Sequence, residues 1–393
     1  MRVVVFGSHD PDHWGAWTSR LVHERAAALE ALGAAVRVVV AAPPSGPAPF
    51  WPAADVVTLH PRPLPFRNPR QSDRSGLLHR AALPRLRSLR SEFDFDLIET
   101  HGVYPAGAAA VRMARQLGVP CVLAALGPDL ALVGRNSGVR KRVGASVAAA
   151  AEVLAPSATA AEALFRLGGD RHKIHVVPDA IDRARFRPGD ATAARAALGL
   201  APDAALLLAV GELVASAGHV LLVEAVAQLR QGGLRACLHL LGEGPEGARL
   251  RSRLAALDMA DAVFFHAENA PERLALWYQA ATLQLAASTD EVWPHALYEA
   301  QACGLPLVAT ATDGLDEIVC GENGMCVEPR SSEALAAGIC AALARRWDRE
   351  AISAGAPRRS WADVTAPRLR ILRAAAPQRG HTQAMHVLQT QPA

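Results

Sequence analysis

The chain has 393 residues, more than one hydrophobic core usually organises, so its length predicts two domains. It is 51% hydrophobic and 20% charged, a composition that excludes long-range disorder. The net charge of +3 comes from 41 basic and 38 acidic side chains, a balance that excludes a dedicated nucleic-acid binder. Because no run of about 18 apolar residues is present, we expect no transmembrane helix.

The first residues, Met1–Gly7, lack the long apolar run and the small-residue cleavage site of a signal peptide. They are typical of a buried strand instead. The six cysteines show neither CxxC spacing nor the spacing of zinc ligands, so we expect buried thiols in a reducing compartment. The protein is therefore expected to be cytoplasmic.

Short apolar, β-branched runs alternate with longer segments of helical character along the first half of the chain. Continuous apolar runs of this length are typical of parallel strands that are buried on both faces. The runs that predict strands are Val3–Phe6, Val36–Val40, Val56–Leu59, Phe95–Glu99, Pro120–Ala124, Glu152–Ala155 and Ile174–Val177.

A charged, Pro- and Gly-containing segment from Asp182 to about Pro202 is the predicted linker to a second alternating series. We therefore expect two doubly wound α/β domains, residues 1–185 and 203–360, with a ligand cleft between the carboxyl ends of their sheets. Residues 375–393 lose periodicity and predict a frayed tail. The strand runs of the second series are Leu206–Val210, Cys237–Leu241, Ala262–His266, Leu283–Ala287, Pro306–Ala309 and Met325–Val327.

The strongest local signal is a pair of glutamates, Glu291 and Glu299, which flank a loop and the first turns of a predicted helix. Pro294 suits the first position of that helix, where no backbone N–H is needed. Free amides at a helix start favour an anion such as a diphosphate. Both carboxylates can therefore face one pocket, although a loop acid and a helix-surface acid can have the same spacing.

This segment resembles the retaining glycosyltransferases of family 4, which have the GT-B fold and carry Glu-x7-Glu followed by Ala-x-Ala-x-Gly-x-Pro-x-Val. The likeness spans about residues 1–365. It implies two Rossmann-like domains that face a central cleft, with a helix at 361–374 that crosses back onto the first domain. Further matches to the family are Val176–Pro188, Leu241–Glu246, Gly314–Val319, Asp96–Gly102 and Tyr104–Gly107.

The resemblance also implies an activity: a retaining, metal-independent hexosyltransferase without a bound cofactor, for which a nucleoside-diphosphate sugar is the co-substrate. The acceptor would be a glycan, a lipid-linked sugar or a small molecule, as in polysaccharide biosynthesis. Glu299 would bind the ribose hydroxyls, and Glu291 would lie beside the donor sugar and the diphosphate. Gly15 would let the backbone approach the donor phosphate, although a simple loop glycine is the alternative.

The same resemblance supplies the remaining candidate residues. His101 and Asp129 are the further catalytic candidates, although Asp129 also suits a loop or a helix N-cap. Amides near the helix start would help to hold the sugar and the phosphates. The remaining donor-binding candidates are Glu212, His219, Gly242, Trp293, Pro294, His295 and Ala296.

The chain departs from the family where cations usually neutralise the diphosphate. The family has Gly-Arg-Leu-x4-Lys-Gly, whereas this chain has Glu212 in place of the Arg and Ala217 in place of the Lys. Each lost donor at a developing phosphate charge is worth about 3 kcal/mol. His219 could compensate only if it is protonated. Leu126 also stands where the family has a cationic or hydrogen-bonding side chain.

Two hypotheses therefore remain open. One is an active glycosyltransferase with a rebuilt diphosphate site, which the intact glutamate pair favours. The other is a catalytically weak or silent homologue that binds a glycan or a partner protein, which the missing cations favour. Binding of nucleoside diphosphates would separate the two.

An arginine-rich segment, Arg67–Arg90, carries seven arginines and a single acid, Asp73, with leucines between them. Such a segment could lie on an anionic membrane surface and reach a lipid-linked acceptor, at the inner face of the membrane. The alternative is a solvated loop and helix. Pro69 and Pro84 limit any long continuous helix.

Overall fold

The computed structural model describes residues 1–8, 16–42, 55–58, 73–126, 130, 133, 137–202, 204–267, 270–288, 295–312, 315 and 318–377. Within this part of the chain, no helix combines the length and the apolar character that spanning a bilayer requires. The apolar runs of the sequence form the strands of two parallel sheets. The strands are β1 Arg2–Ser8, β2 Ala35–Ala42, β3 Asp55–Thr58, β4 Leu97–His101, β5 Cys121–Ala124, β6 Glu152–Ala155, β7 Ile174–Val176, β8 Ala205–Val210, β9 Ala236–Leu241, β10 Val263–His266, β11 Leu283–Ala286, β12 Leu307–Thr310 and β13 Gly324–Val327.

Helices connect the strands, and polar side chains fix several of their starts. Asp73, for example, accepts a hydrogen bond from the Gly76 amide, and Ser360 forms a capping box with Asp363. The helices are α1 Ala16–Ala31, α2 Arg74–Phe93, α3 Ala108–Leu117, α4 Ser137–Ala149, α5 Ala158–Arg166, α6 Ala191–Leu198, α7 His219–Gln231, α8 Gly247–Ala256, α9 Pro271–Ala280, α10 His295–Ala302, α11 Ser332–Ala344, α12 Arg349–Gly355 and α13 Trp361–Ala375.

The strand order of each sheet reverses once. Within the described residues, the first sheet has seven strands in the order β3-β2-β1-β4-β5-β6-β7, and the second has six in the order β10-β9-β8-β11-β12-β13. The order therefore reverses at β1/β4 and at β8/β11, and the carboxyl ends of these strands are the usual places for a ligand in a doubly wound sheet. This architecture confirms the predicted α/β fold with two doubly wound parallel sheets.

Helix α13 lies against the first sheet, although it follows the second domain in the chain. Its Leu369 and Leu372 are buried in one core with Val3 and Val5 of β1 and with Val22 of α1. The first sheet is therefore covered on this face by the beginning and the end of the described chain.

The predicted linker contains more structure than its composition suggests. Residues 191–198 form α6, and Ala194 lies with Phe186 and Tyr278 in a core of the second domain. Asp190 caps this helix by accepting from the amides of Thr192 and Ala193. The charged and Pro-containing sequence therefore packs on the second domain for much of its length.

The structure corrects the expectation that the cysteines are buried, and it shows where the leucines of α2 lie. Only two of the six cysteines, Cys121 and Cys303, are buried, whereas three are exposed. In α2, Leu78, Leu86 and Leu89 point into the core of the first domain. Because packing against the sheet already buries these leucines, they are not available to insert into a membrane.

Candidate active site

The two reversal points bring most of the described candidate residues to the carboxyl edges of the sheets. His101 ends β4, beside the helix α1 that follows β1. Glu212 and His219 follow β8, and His295 and Glu299 lie in the helix that follows β11. These positions are where a doubly wound fold places its ligands.

Glu299 of α10 is the centre of a buried polar cluster. One carboxylate oxygen, Oε1, accepts a hydrogen bond from Nη2 of Arg20 at 2.6 Å and lies 3.3 Å from Nε2 of His295. The other oxygen, Oε2, accepts from the Tyr278 hydroxyl at 3.1 Å. The side chain of Glu299 is 0% exposed and that of Arg20 is 1% exposed. Because Arg20 lies on α1, this ion pair joins the two domains.

The neighbours of Glu299 keep its carboxylate ionised. Burial alone would raise the pKa of Glu299, but Arg20 and His295 outweigh that effect and the pKa is lowered. Burial and the adjacent carboxylate together raise the pKa of Tyr278 well above its usual value. Tyr278 therefore stays protonated and donates to the carboxylate.

Sequence reasoning found Glu299 but missed Arg20 and Tyr278. Arg20 is 279 positions away from Glu299, and no spacing rule connects residues in different domains. One signal was available for Arg20, because α1 follows the first strand and its start must face the cleft. Tyr278 follows Trp277 in an apolar helix, where an aromatic side chain predicts a core position.

The loop between β8 and α7 contains the replaced cation positions. Glu212 and Ala217 are both half-buried there. Gly218 has a φ of +67°, and a Cβ on it would lie 1.9 Å from the carbonyl oxygen of Ala287, so the loop is pressed against the end of β11. Burial lowers the pKa of His219 to about 4. His219 is therefore neutral near pH 7 and does not replace the missing lysine charge.

Gly242 marks a close approach of two loops at the same edge. It has a φ of +151°, and a Cβ on it would lie 1.9 Å from the carbonyl oxygen of Gly211. The loop after β9 also accepts a backbone hydrogen bond, from the Leu213 amide to the Glu243 carbonyl at 3.0 Å. The contribution of Gly242 is therefore to allow this backbone packing beside Glu212.

His101 lies in a second buried cluster, at the end of β4. Its Nδ1 is 3.0 Å from Nη1 of Arg25, and its Nε2 is 3.1 Å from Nη2 of Arg368 on α13. Arg368 also donates to Glu99 at 2.7 Å, and Arg25 donates to Asp179 at 2.6 Å. Burial, followed by the charges of Arg368 and Arg25, lowers the pKa of His101 well below its usual value.

The imidazole of His101 is therefore neutral, fully buried and in contact with two arginines. Its catalytic role stays a prediction. Ala296 lies buried in the first turn of α10, next to His295. Five of the predicted site residues lie outside the described residues: Gly15, Asp129, Glu291, Trp293 and Pro294.

Comparisons with known proteins identify the family of this chain. Residues 18–185 match the family described as Glycosyltransferase Family 4, and residues 190–359 match the family described as Glycosyl transferases group 1. A D-inositol 3-phosphate glycosyltransferase of Xylanimonas cellulosilytica is 33% identical over 359 residues, which cover 85% of this chain and 85% of that protein. Another, from Geodermatophilus obscurus, is 40% identical over 227 residues, which cover 55% of this chain and 50% of that protein. The chain thus matches about half the length of this second relative.

The fold is also found in crystal structures. Anabaena HepE, in complex with UDP and glucose, matches this chain with a TM-score of 0.70 at 20% identity, covering 94% of this chain and 98% of HepE. This likeness confirms the two-domain GT-B fold. Family models match both halves of the sequence, and one relative is 33% identical over most of its length. The chain therefore belongs to the group 1 glycosyltransferases, also described as glycosyltransferase family 4.

Proposed function

We propose that this protein transfers a hexose from a nucleoside-diphosphate sugar to an acceptor, with retention of the anomeric configuration and without a metal. One observation carries the proposal: the ionised carboxylate of Glu299 lies in the helix after β11, where the strand order of the second sheet reverses. The complex of HepE with UDP and glucose and the glycosyltransferase names of the relatives support it.

In this proposal the second domain binds the donor. Glu299 accepts hydrogen bonds from the ribose hydroxyls, and Glu291 lies beside the sugar. The amides at the start of α10, from His295 and Ala296, favour the negative charge of the diphosphate. Because Glu212 and Ala217 supply no cation, these amides carry more of the phosphate binding than in relatives that have the Arg and Lys.

The first domain would bind the acceptor. The relatives are named for inositol 3-phosphate, which makes a phosphorylated small molecule the first acceptor to test, before glycans and lipid-linked sugars. Exposed cations on α2 and α4, namely Arg80, Arg87, Arg140 and Lys141, would attract such an anion. The same charges would hold a cytoplasmic protein at an anionic membrane by electrostatic attraction. The leucines of α2 would not contribute to that binding, because they are buried in the core.

Calorimetric titration with UDP tests the donor site. Glu299→Ala should weaken UDP binding by about 2–4 kcal/mol, because two hydrogen bonds from the ribose to a charged acceptor are lost. Glu333→Ala, which removes an exposed carboxylate of α11, is the matched control and should bind UDP like the wild type. Equal affinities of all three proteins would contradict the assigned role of Glu299.

The second candidate is a silent homologue. The Arg20–Glu299 pair favours it, because Arg20 already occupies the carboxylate to which the ribose would bind. Transfer assays with UDP-sugars and inositol 3-phosphate separate the candidates, since a silent homologue forms no product. The double variant Glu212→Arg with Ala217→Lys restores the family's cations. It should tighten UDP binding about tenfold or more through charge-assisted contacts if the site is under-neutralised.

A further inference from the structure

The contact between Arg20 and Glu299 closes the surface on which the nucleotide would bind. A carboxylate offers about four acceptor positions on its two oxygens. Arg20, His295 and Tyr278 already occupy three of them, at 2.6, 3.3 and 3.1 Å. A ribose diol brings two hydroxyls, whereas one position remains and the Glu299 side chain has 0% exposure. The ribose can therefore reach Glu299 only after Arg20 has moved.

Arg20 has a second partner available when it leaves. Its Nη1 lies 4.0 Å from a carboxylate oxygen of Glu24, one helical turn further along α1. The Glu24 side chain is 16% exposed, so this alternative position lies nearer to solvent than Glu299 does. A rotation of the Arg20 side chain thus exchanges one carboxylate for another and leaves no unpaired guanidinium.

Helix α1 itself is anchored independently of Arg20. Arg25, one turn and a half further on, donates to Asp179 at 2.6 Å in the connection to the second domain, and it contacts His101 at 3.0 Å. Leucine and valine side chains of α1 also pack against α13 and β1. Release of Arg20 from Glu299 would therefore remove this contact between the domains and leave α1 in the first domain.

We propose that Arg20 is an autoinhibitory occupant of the nucleotide site, which competes with the ribose of a nucleoside diphosphate for Glu299. Binding of the donor breaks this contact between the domains, and Arg20 turns to Glu24. The inference rests on the proposed function, because it assigns the nucleotide to Glu299. It predicts that the affinity for the donor is limited by the protein's own cation.

Calorimetric titration with UDP alone tests the competition. Arg20→Gln should bind UDP about tenfold or more tightly than the wild type, because a neutral amide competes less well for the carboxylate. Glu24→Gln should have the opposite effect and weaken UDP binding several-fold, since the released Arg20 loses its partner. Arg230→Gln is the matched control: it removes a surface ion pair of the same 2.6 Å length, with Asp261, and should leave the affinity unchanged.

A second variant, Arg20→Lys, covers the case in which Arg20→Gln fails to fold. It keeps the positive charge beside Glu299 but has fewer hydrogen-bond donors. It should fold like the wild type and bind UDP a few-fold more tightly. Weaker binding by Arg20→Gln would overturn the inference and make Arg20 a ligand of the diphosphate. Equal binding by wild type and variants would overturn the inference and leave the proposed function intact. If no protein binds UDP, both fail.

Discussion

Among the described residues, two glutamates are completely buried, and each is paired with an arginine from a distant part of the chain. Glu99 of β4 pairs with Arg368, 269 positions away, and Glu299 of α10 pairs with Arg20, 279 positions away. Each pair also has a histidine beside it, namely His101 or His295. The two clusters therefore use the same three residue types.

The clusters differ in what surrounds them. Arg368 belongs to a helix that packs into the core of the first domain, and a second ion pair, Arg25 with Asp179, closes the cluster. Arg20 and Glu299 instead belong to different domains across a cleft, and the remaining partner is the hydroxyl of Tyr278. Water can reach the second pair if the proposed release of Arg20 opens the cleft, whereas the first pair lies within the packing of α13 on the first domain. Burial in one conformation is therefore a poor measure of how permanent an ion pair is.

The largest effect is expected for Arg368→Met. It leaves the fully buried Glu99 without its cation, and breaking a buried pair costs about 3–5 kcal/mol. Urea unfolding of the variant measures this loss. Arg370→Met, two positions along and exposed, is the control and should change little. Equal urea midpoints for the two variants would mean that the Arg368–Glu99 pair contributes no more to stability than an exposed arginine does.

Acidification should weaken the first cluster before the second. The pKa of His101 in the folded protein lies well below 6.5, so the unfolded chain binds the proton more strongly and stability falls as the pH drops below about 6.5. As the pH falls below about 6.5, the slope contributed by His101 rises towards a limit of about 1.4 kcal/mol per pH unit. Glu299, whose pKa is lowered, keeps its contribution until the pH falls below its ordinary range near 4.5.

Urea unfolding at several pH values from 7 to 5 measures this slope. In His101→Gln, which cannot titrate, the slope should be smaller than in the wild type by the amount that His101 contributes. Parallel curves for the two proteins would mean that His101 is not buried as a neutral ring in solution.

A smaller loss is expected for Tyr278→Phe, which removes the hydroxyl that donates to Glu299 and keeps the aromatic ring. A hydrogen bond to a charged group contributes about 1.5–3 kcal/mol, and the 3.1 Å length places this one at about 1.5 kcal/mol. Thermal or urea unfolding measures it. No loss at all would show that water replaces the hydroxyl and that the cleft is already open in solution.

The smallest change in stability is expected for Arg20→Gln. The ion pair is as short and as buried as that of Arg368, but in the proposed competition the cleft opens and water hydrates Glu299 once Arg20 no longer holds it. The loss should therefore stay below about 1 kcal/mol, the range of solvent-accessible pairs. Urea unfolding of Arg20→Gln and Arg368→Met under the same conditions compares the two losses of stability directly. A loss of the same size in both variants would mean that the two domains do not separate.

The sequence was sufficient for most of the fold. All thirteen predicted strand runs form strands, with ends that agree within about two residues, because buried parallel strands need continuous apolar runs. The helix in the predicted linker was not foreseen. Its burial depends on Phe186 and Ala194 packing against the second domain, a tertiary contact that composition does not reveal.

The candidate site was predictable only in part. Glu299 and His219 follow from motifs with fixed local spacing, and the neutral state of His219 needed its burial to be known. Arg20, Tyr278 and the pairing of Arg368 with Glu99 depend on how separate segments meet in space. No local pattern encodes such meetings, since 279 and 269 positions separate the partners of the two ion pairs, and even Tyr278 lies 21 positions from Glu299 in another helix.

The position of Arg368 in the chain has a consequence for biosynthesis. Glu99 leaves the ribosome 269 residues before its partner, and at 5–20 residues per second this interval lasts on the order of tens of seconds. During that time the nascent first domain lacks α13, so α1 alone covers the apolar face formed by Val3 and Val5, and Glu99 lacks Arg368. The second domain can be complete by then. The first part of the protein to be synthesised is therefore the last to reach its final structure, and in the meantime it is the part most exposed to chaperones and proteases.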